Sequence, residues 1–173
     1  MDETKSSSIK PSIDQIGIVV RDLHSVVAVM KDILGIRDFK IMEWPIEGVD
    51  PQATYHGEPG NFRLLLGFVT VGKTQIELVQ PLEGQNIYSD FLEKHGPGLH
   101  HFRLTVPDFE ERFEALKSLG IENIASGTGV HVGSKWAYFD TSELLEGVII
   151  EIRKHLDEAC GEGQWVEPIT DSD

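Results

Sequence analysis

The sequence predicts an α+β fold: two paired βαβββ modules in one curved mixed sheet, helices packed outside and a cleft between the concave faces. Three observations carry this. The chain repeats itself, each copy runs through strand-like and helix-like periodicity in the same order, and each places a carboxylate inside its last apolar strand. The first copy opens with "DQIGIVVRDLHSVVAVMKDILGI", residues 14–36, and the second with "HHFRLTVPDFEERFEALKSLGI", residues 100–121. Such self-similarity marks one supersecondary unit used twice.

The elements follow in order. An alternating apolar run ending in Val opens each copy and reads as a strand. In the helix that follows, Val26, Val27, Met30 and Leu34 recur at helical spacing, as do Phe109, Phe113, Leu116 and Leu119 in the second copy. Asp22 and Asp108 stand where an N-cap accepts orphan amide hydrogens, and Gly35 and Gly120 where a left-handed residue ends the helix. Module 1 continues with "DFKIME", "FRLLLGFVTV" and "TQIELVQ"; module 2 with "ENIAS", "KWAYFD" and "GVIIEI". An excursion in module 1, "WPIEGVDPQATYHGEPGN", is too rich in Gly and Pro for a regular element. "NIYSDFLEKHG" reads as a helix between the modules. The expected organisation is a disordered leader over 1–12, module 1 over 13–83, a linking helix within 84–97, module 2 over 98–155 and an acidic tail over 156–173.

Composition narrows the partners. The 173 residues carry 29 acidic and 15 basic side chains, a formal charge of −14. Nucleic acid and anionic membrane both require a basic footprint, so neither is expected as a partner. No apolar run approaches the roughly 18–20 residues of a membrane span, and the polar start does not read as a signal peptide. The single cysteine, Cys160, has no internal partner, which fits a reducing cytoplasm. A small-molecule substrate remains.

His100 and His101 are adjacent on a predicted strand, so alternation sends one inward and the other, His100, outward. Gln15 occupies in module 1 the place of His101 in module 2. Glu77 lies between Ile76 and Leu78, and Glu151 between Ile150 and Ile152. An unpaired buried carboxylate costs several kcal/mol, on the order of what one domain can spare, so each needs a partner. Gln15, Glu77, His101 and Glu151 offer oxygen and nitrogen donors suited to one divalent ion: Zn, Co, Ni, Mn or Fe(II). The cleft is therefore expected to be a metal-binding one. The ion neutralises both carboxylates and leaves positions for substrate, and the absence of cysteine there argues against a closed structural zinc.

"IGIVVRDL", "GKTQIELVQPLEG", "FLEKHGPGLHHFRLTV" and "GVIIEI" resemble the glyoxalase/bleomycin-resistance, or vicinal oxygen chelate, superfamily, and more narrowly its methylmalonyl-CoA epimerase branch. The similarity covers about residues 13–153. It implies a glyoxalase-like fold, His101, Glu77 and Glu151 as ligands, and a homodimer. Two positions depart: Gln15 stands where the epimerases have His, and Leu64 where they carry a further catalytic glutamate. The set Gln, Glu, His, Glu is instead similar to that of zinc-type glyoxalase I. The function implied is a metal-dependent isomerase or epimerase that removes a proton next to a carbonyl and stabilises the enolate, with Glu151 as base and Glu77 second. The alternatives are a lactoylglutathione lyase of glyoxalase I type and a non-catalytic binding protein of the same fold. An acyl-CoA thioester needs a basic groove, for which Lys73, Arg63, Lys94 and Lys135 are candidates. The excursion offers Trp44, Tyr55 and His56 as substrate-binding groups, with His131 and Trp136 across the cleft.

Overall fold

The computed structural model describes residues 12–129, 131 and 133–154. The expected leader before Ser12 and the acidic tail with Cys160 lie outside the described residues. Module 1 contributes β1 (Ile13–Val19), α1 (Leu23–Leu34), β2 (Lys40–Trp44), a small hairpin β3 (Thr54–Tyr55) and β4 (Glu58–Pro59), β5 (Arg63–Val71) and β6 (Thr74–Glu83). After α2 (Ile87–His95), module 2 contributes β7 (Gly98–Val106), α3 (Phe109–Ser118), β8 (Asn123–Thr128), β9 (Lys135–Phe139) and β10 (Ile149–Lys154). All strands form one sheet in the order β2-β5-β6-β1-β7-β10-β9-β8-β3-β4. It curls into a half-barrel, as the repeat predicts.

The wiring of the two halves is the same. β1 runs parallel to β6, which is flanked by antiparallel β5 and then β2; β7 runs parallel to β10, flanked by β9 and β8. Antiparallel pairing of β1 with β7 joins them. A parallel pair needs a long crossover, and in each half the helix lies within it. α1 covers the convex face over Leu23, Val20 and Leu78, and α3 does so over Phe109, Phe139 and Ile152. Leu23 is fully buried, worth about 1.5–3 kcal/mol relative to exposure. α2 instead puts Ile87 and Tyr88 into the cluster on the concave side, with Trp44, Leu64, Leu66 and Val79.

Three expectations need correction. The excursion over 44–61 is not wholly irregular: β3 pairs with β8, Thr54 opposite Ser126 and Tyr55 opposite Ala125, so module 1 adds a strand to the edge of module 2. An open edge supplies backbone partners that composition does not reveal. Asp22 caps α1 by accepting from the Ser25 amide at 3.0 Å, but Asp108 makes no such bond to α3 and pairs with Arg112 at 3.2 Å. His100 does not face outward. Gly17 is opposite His101 and Ile18 is opposite Leu99, which leaves His100 as the extra residue of a β-bulge. The bulge breaks the alternation, and both imidazoles are buried.

Candidate metal centre

β1, β6, β7 and β10 are neighbours in the middle of the sheet, and each contributes one of the four polar side chains that meet on the concave face. Gln15, Glu77, His101 and Glu151 are all buried, between 0% and 7% exposed, which excludes bulk water as their partner. His101 Nε2 is 3.2 Å from Glu77 Oε2, 3.4 Å from Glu151 Oε2 and 3.4 Å from the Gln15 amide oxygen. Glu77, His101 and Glu151 each present a ligand atom within 4.8 Å of the others, a group able to hold a metal ion.

His101 reaches this cluster because nothing stands opposite it. A Cβ at Gly17 would lie 1.8 Å from His101 Cε1, so the ring occupies the space a side chain would fill. Its other nitrogen, Nδ1, is 3.0 Å from His100 Nδ1. Burial, then the neighbouring charge of His101, hold His100 well below the usual histidine range. The neutral His100 ring accepts and His101 Nδ1–H donates, which leaves Nε2 aimed at the carboxylates. Burial pulls the His101 pKa down, but Glu151 and Glu77 outweigh it and lift it to about 9. Tyr88 and Tyr138 close this corner, their hydroxyls 2.8 Å apart. Burial and the charges of Glu77 and Glu151 push both phenols well up, so they stay neutral.

Arg103, two residues beyond His101, faces the same side and lies opposite both Gln15 and Glu151 in register. Its Nε donates to Asp14 Oδ1 at 2.6 Å, and Asp14 Oδ2 accepts from the Thr105 amide at 2.8 Å. Burial lowers the Arg103 pKa; Glu151, Asp14 and Glu77 reverse that and raise it.

The residues fit a divalent cation. Glu77 Oε2 is buried and makes no aligned hydrogen bond, its near neighbour being His101 Nε2 at 3.2 Å. Leaving such a charged group uncompensated costs about 1–3 kcal/mol or more, so a cation must meet it, the His101 imidazolium in the metal-free site or a metal ion in its place. With His101 neutral, Glu77 and Glu151 balance a charge of two, and Asp14 balances Arg103. Oxygen and imidazole donors suit the metals named above.

The cluster opens into a cavity of about 340 Å³, within the range of small-ligand sites. Along β5 the lining passes from Leu64 and Leu66 through Phe68, opposite Glu77, to Thr70, opposite Gln75. One side of the centre is thus apolar and the other polar, where Asp38, Lys40, Lys135 and Arg153 also contribute. Of the substrate-binding residues expected from sequence, Trp44 and Lys135 line the cavity, with His131 and Trp136. Tyr55 and His56 do not: the Tyr55 hydroxyl donates to Asp90 at 2.6 Å, and His56 pairs with Glu122 at 2.7 Å on the surface. Arg63 is likewise outside it, bound to Glu83 and Glu43. Leu64 sits on the lining and supplies no acid.

Sequence reasoning missed Gly17, Asp14, Arg103, His100 and Tyr138. The signal for two of them was period-two alternation: residue 17 shares a face with Gln15, and 103 with His101.

Residues 14–139 match the family model of the Glyoxalase/Bleomycin resistance protein/Dioxygenase superfamily. The chain is 24% identical over 143 residues to human mitochondrial methylmalonyl-CoA epimerase, covering 82% of this chain and 73% of that protein. It is 26% identical over 146 residues to the ethylmalonyl-CoA/methylmalonyl-CoA epimerase of Cereibacter sphaeroides, covering 82% and 96%. Among solved structures it resembles a Streptomyces coelicolor methylmalonyl-CoA epimerase variant in complex with 2-nitronate-propionyl-CoA, with a TM-score of 0.60 at 19% identity over 84% of this chain and 97% of that one. At that identity the likeness speaks to the fold.

Proposed function

Because the chain belongs to the glyoxalase/bleomycin resistance protein/dioxygenase superfamily, we propose that it is a divalent-metal-dependent isomerase or epimerase that moves a proton at a carbon next to a carbonyl, with an acyl-CoA thioester as substrate. The single observation that carries this reading is the buried group of Glu77, His101 and Glu151 at the mouth of a ligand-sized cavity. The relatives named as epimerases of malonyl-type CoA thioesters support the substrate class.

Glu77, His101 and Glu151 would hold the ion. A bound divalent cation supplies Lewis-acid stabilisation of the negative charge that develops on a carbonyl oxygen as the neighbouring carbon loses its proton. The chain supplies the rest. Glu151 takes the proton through its carboxylate. An isomerisation returns that proton from Glu151 to the neighbouring carbon. An epimerisation returns a proton to the other face of the same carbon from the protonated Glu77 carboxyl, which lines the same cavity from the opposite module. General-base catalysis of this kind contributes about 10²–10⁴-fold. His100 fixes the His101 ring through Nδ1, and the Tyr88–Tyr138 pair with the Trp44 and Leu64 side of the cavity excludes water.

One observation favours a second reading. The residues around the centre, Gln15, Glu77, His101 and Glu151, are those that the sequence resemblance associates with glyoxalase I, and Leu64 leaves no further acid on β5. Two assays on metal-loaded protein separate the readings: hydrogen exchange on methylmalonyl-CoA, and turnover of methylglyoxal with glutathione. Glu151→Gln is expected to abolish whichever activity is present while the protein remains folded. Full turnover in that variant removes Glu151 as the base, and protein that takes up no divalent metal rules out both readings.

A further inference from the structure

The Gln15 amide can present either end to the centre, and the two ends do different chemistry. With Oε1 turned inward it faces Glu151 Oε2 at 3.2 Å, acceptor against acceptor, while Nε2 faces Arg103 Nη1 at 2.9 Å, donor against donor. That orientation keeps a bond from Nε2 to Gln75 Oε1 at 2.7 Å and a long contact of Oε1 with His101 Nε2 at 3.4 Å, which a metal on His101 would take over. Turning the amide over converts both opposed contacts into hydrogen bonds: Nε2 donates to Glu151 Oε2 and Oε1 accepts from Arg103. The turned Gln15 oxygen then faces Gln75 Oε1 at 2.7 Å, so the bond between the two amides survives only where Gln75 turns as well.

A cation at the centre would favour the inward oxygen, since it adds a neutral ligand. Arg103 opposes this. Its guanidinium is held in place, because Nε donates to Asp14, Asp14 accepts from the Thr105 amide, and the side chain is only 11% exposed. An amide nitrogen pressed on a fixed guanidinium leaves buried donors unsatisfied, a loss of about 1–3 kcal/mol or more. An oxygen there gains a charge-assisted bond instead.

We propose that Arg103 is a positioning residue that turns the Gln15 amide nitrogen toward Glu151, so that Glu77, His101 and Glu151 form the complete protein ligand set. Gln15 then acts through Glu151 and is not a ligand. The bulge at Asp14 makes this possible, because it brings the Asp14 carboxylate under Arg103. A centre with three protein ligands has more open positions for substrate oxygens than one with four. The inference rests on the metal reading of the site.

Zinc-loaded crystals of the full chain, with zinc affinities of the parent, three single variants and one double variant, test it. Glu77, His101 and Glu151 are expected at about 2.0–2.2 Å from zinc, with no Gln15 atom at that distance. Gln15→Ala should bind zinc within about a hundredfold of the parent, the range for an outer partner, while Glu77→Ala falls far below that. Arg103→Met frees the amide to turn its oxygen inward and should tighten zinc binding by roughly tenfold; that gain should shrink in the Gln15→Ala background, the signature of coupling between the two residues. Circular dichroism checks that each variant is folded. A Gln15 atom at ligand distance in the parent overturns the proposal, as does a Gln15→Ala loss equal to that of Glu77→Ala. Arg103→Met with zinc binding weakened equally in both backgrounds overturns the part assigned to Arg103. No zinc in the parent defeats the metal reading itself, a different failure from the other three.

Discussion

Two corners of the centre are equivalent by the repeat and opposite in character. Across β1 and β7, His101 lies opposite Gly17 and Gln15 lies opposite Arg103. Exchange of the modules maps residue 15 onto 101 and residue 17 onto 103, so these are one contact made twice. In one copy the functional ring lies over a glycine and reaches into the cluster, held there by His100. In the other the functional amide lies against a guanidinium locked on Asp14. Duplication supplies matching backbone addresses, and the residue across the strand pair decides what the side chain at each address can do.

Filling the empty corner should break the comparison most severely. Gly17→Ala places a Cβ where the His101 ring lies, so the ring must leave. Zinc affinity should fall by more than about a hundredfold, and overpacking should cost about 1–3 kcal/mol of stability. Zinc titration and chemical denaturation measure both, and a variant that binds zinc normally would show that the corner need not be empty. His100→Phe keeps an aromatic ring against Tyr88 and Phe91 but removes the acceptor for His101 Nδ1. An affinity loss of about 10–100-fold is expected; no loss would mean the histidine pair does not orient the ligand.

Protons sharpen the same corner. His101 without metal titrates at about 9, above its unfolded value of about 6.5. Its charged form therefore stabilises the metal-free fold fully below pH 6.5, and that contribution is lost as pH rises through about 9. A metal must displace this proton. Calorimetry at pH 7 in buffers of different ionisation heat should find about one proton released per ion, with apparent affinity rising about tenfold per pH unit toward pH 9. Affinity independent of pH in that window would place the charge elsewhere. The smallest difference between modules lies in their helix starts. Asp22→Ala should lower the thermal midpoint by a few degrees, because Asp22 caps α1, and Asp108→Ala should lower it less, because Asp108 only pairs with exposed Arg112. Equal shifts would mean the caps are equivalent after all.

Much of this was legible in the chain. The repeat gave the paired modules and their order, and apolar neighbours marked Glu77 and Glu151 as inward. The hairpin of β3 and β4 was not legible, because its stability comes from the edge of β8, about 70 residues away. The burial of His100 was not legible either, since one extra residue in a strand leaves no mark on local periodicity. Tyr55 and His56 were assigned to the cavity by proximity in sequence to Trp44, and the crossing to module 2 carries them away from it.

What the sequence alone determined was periodic and local: which segments become strands or helices, which face each buries, and that four polar residues share equivalent inward positions. What only the tertiary structure decided was relative: which residue stands opposite which across β1 and β7, and so which side chains are free and which are held. The reason is physical. Burial preference is a property of one residue and its near neighbours, whereas register and hydrogen-bond direction arise only when distant strands meet.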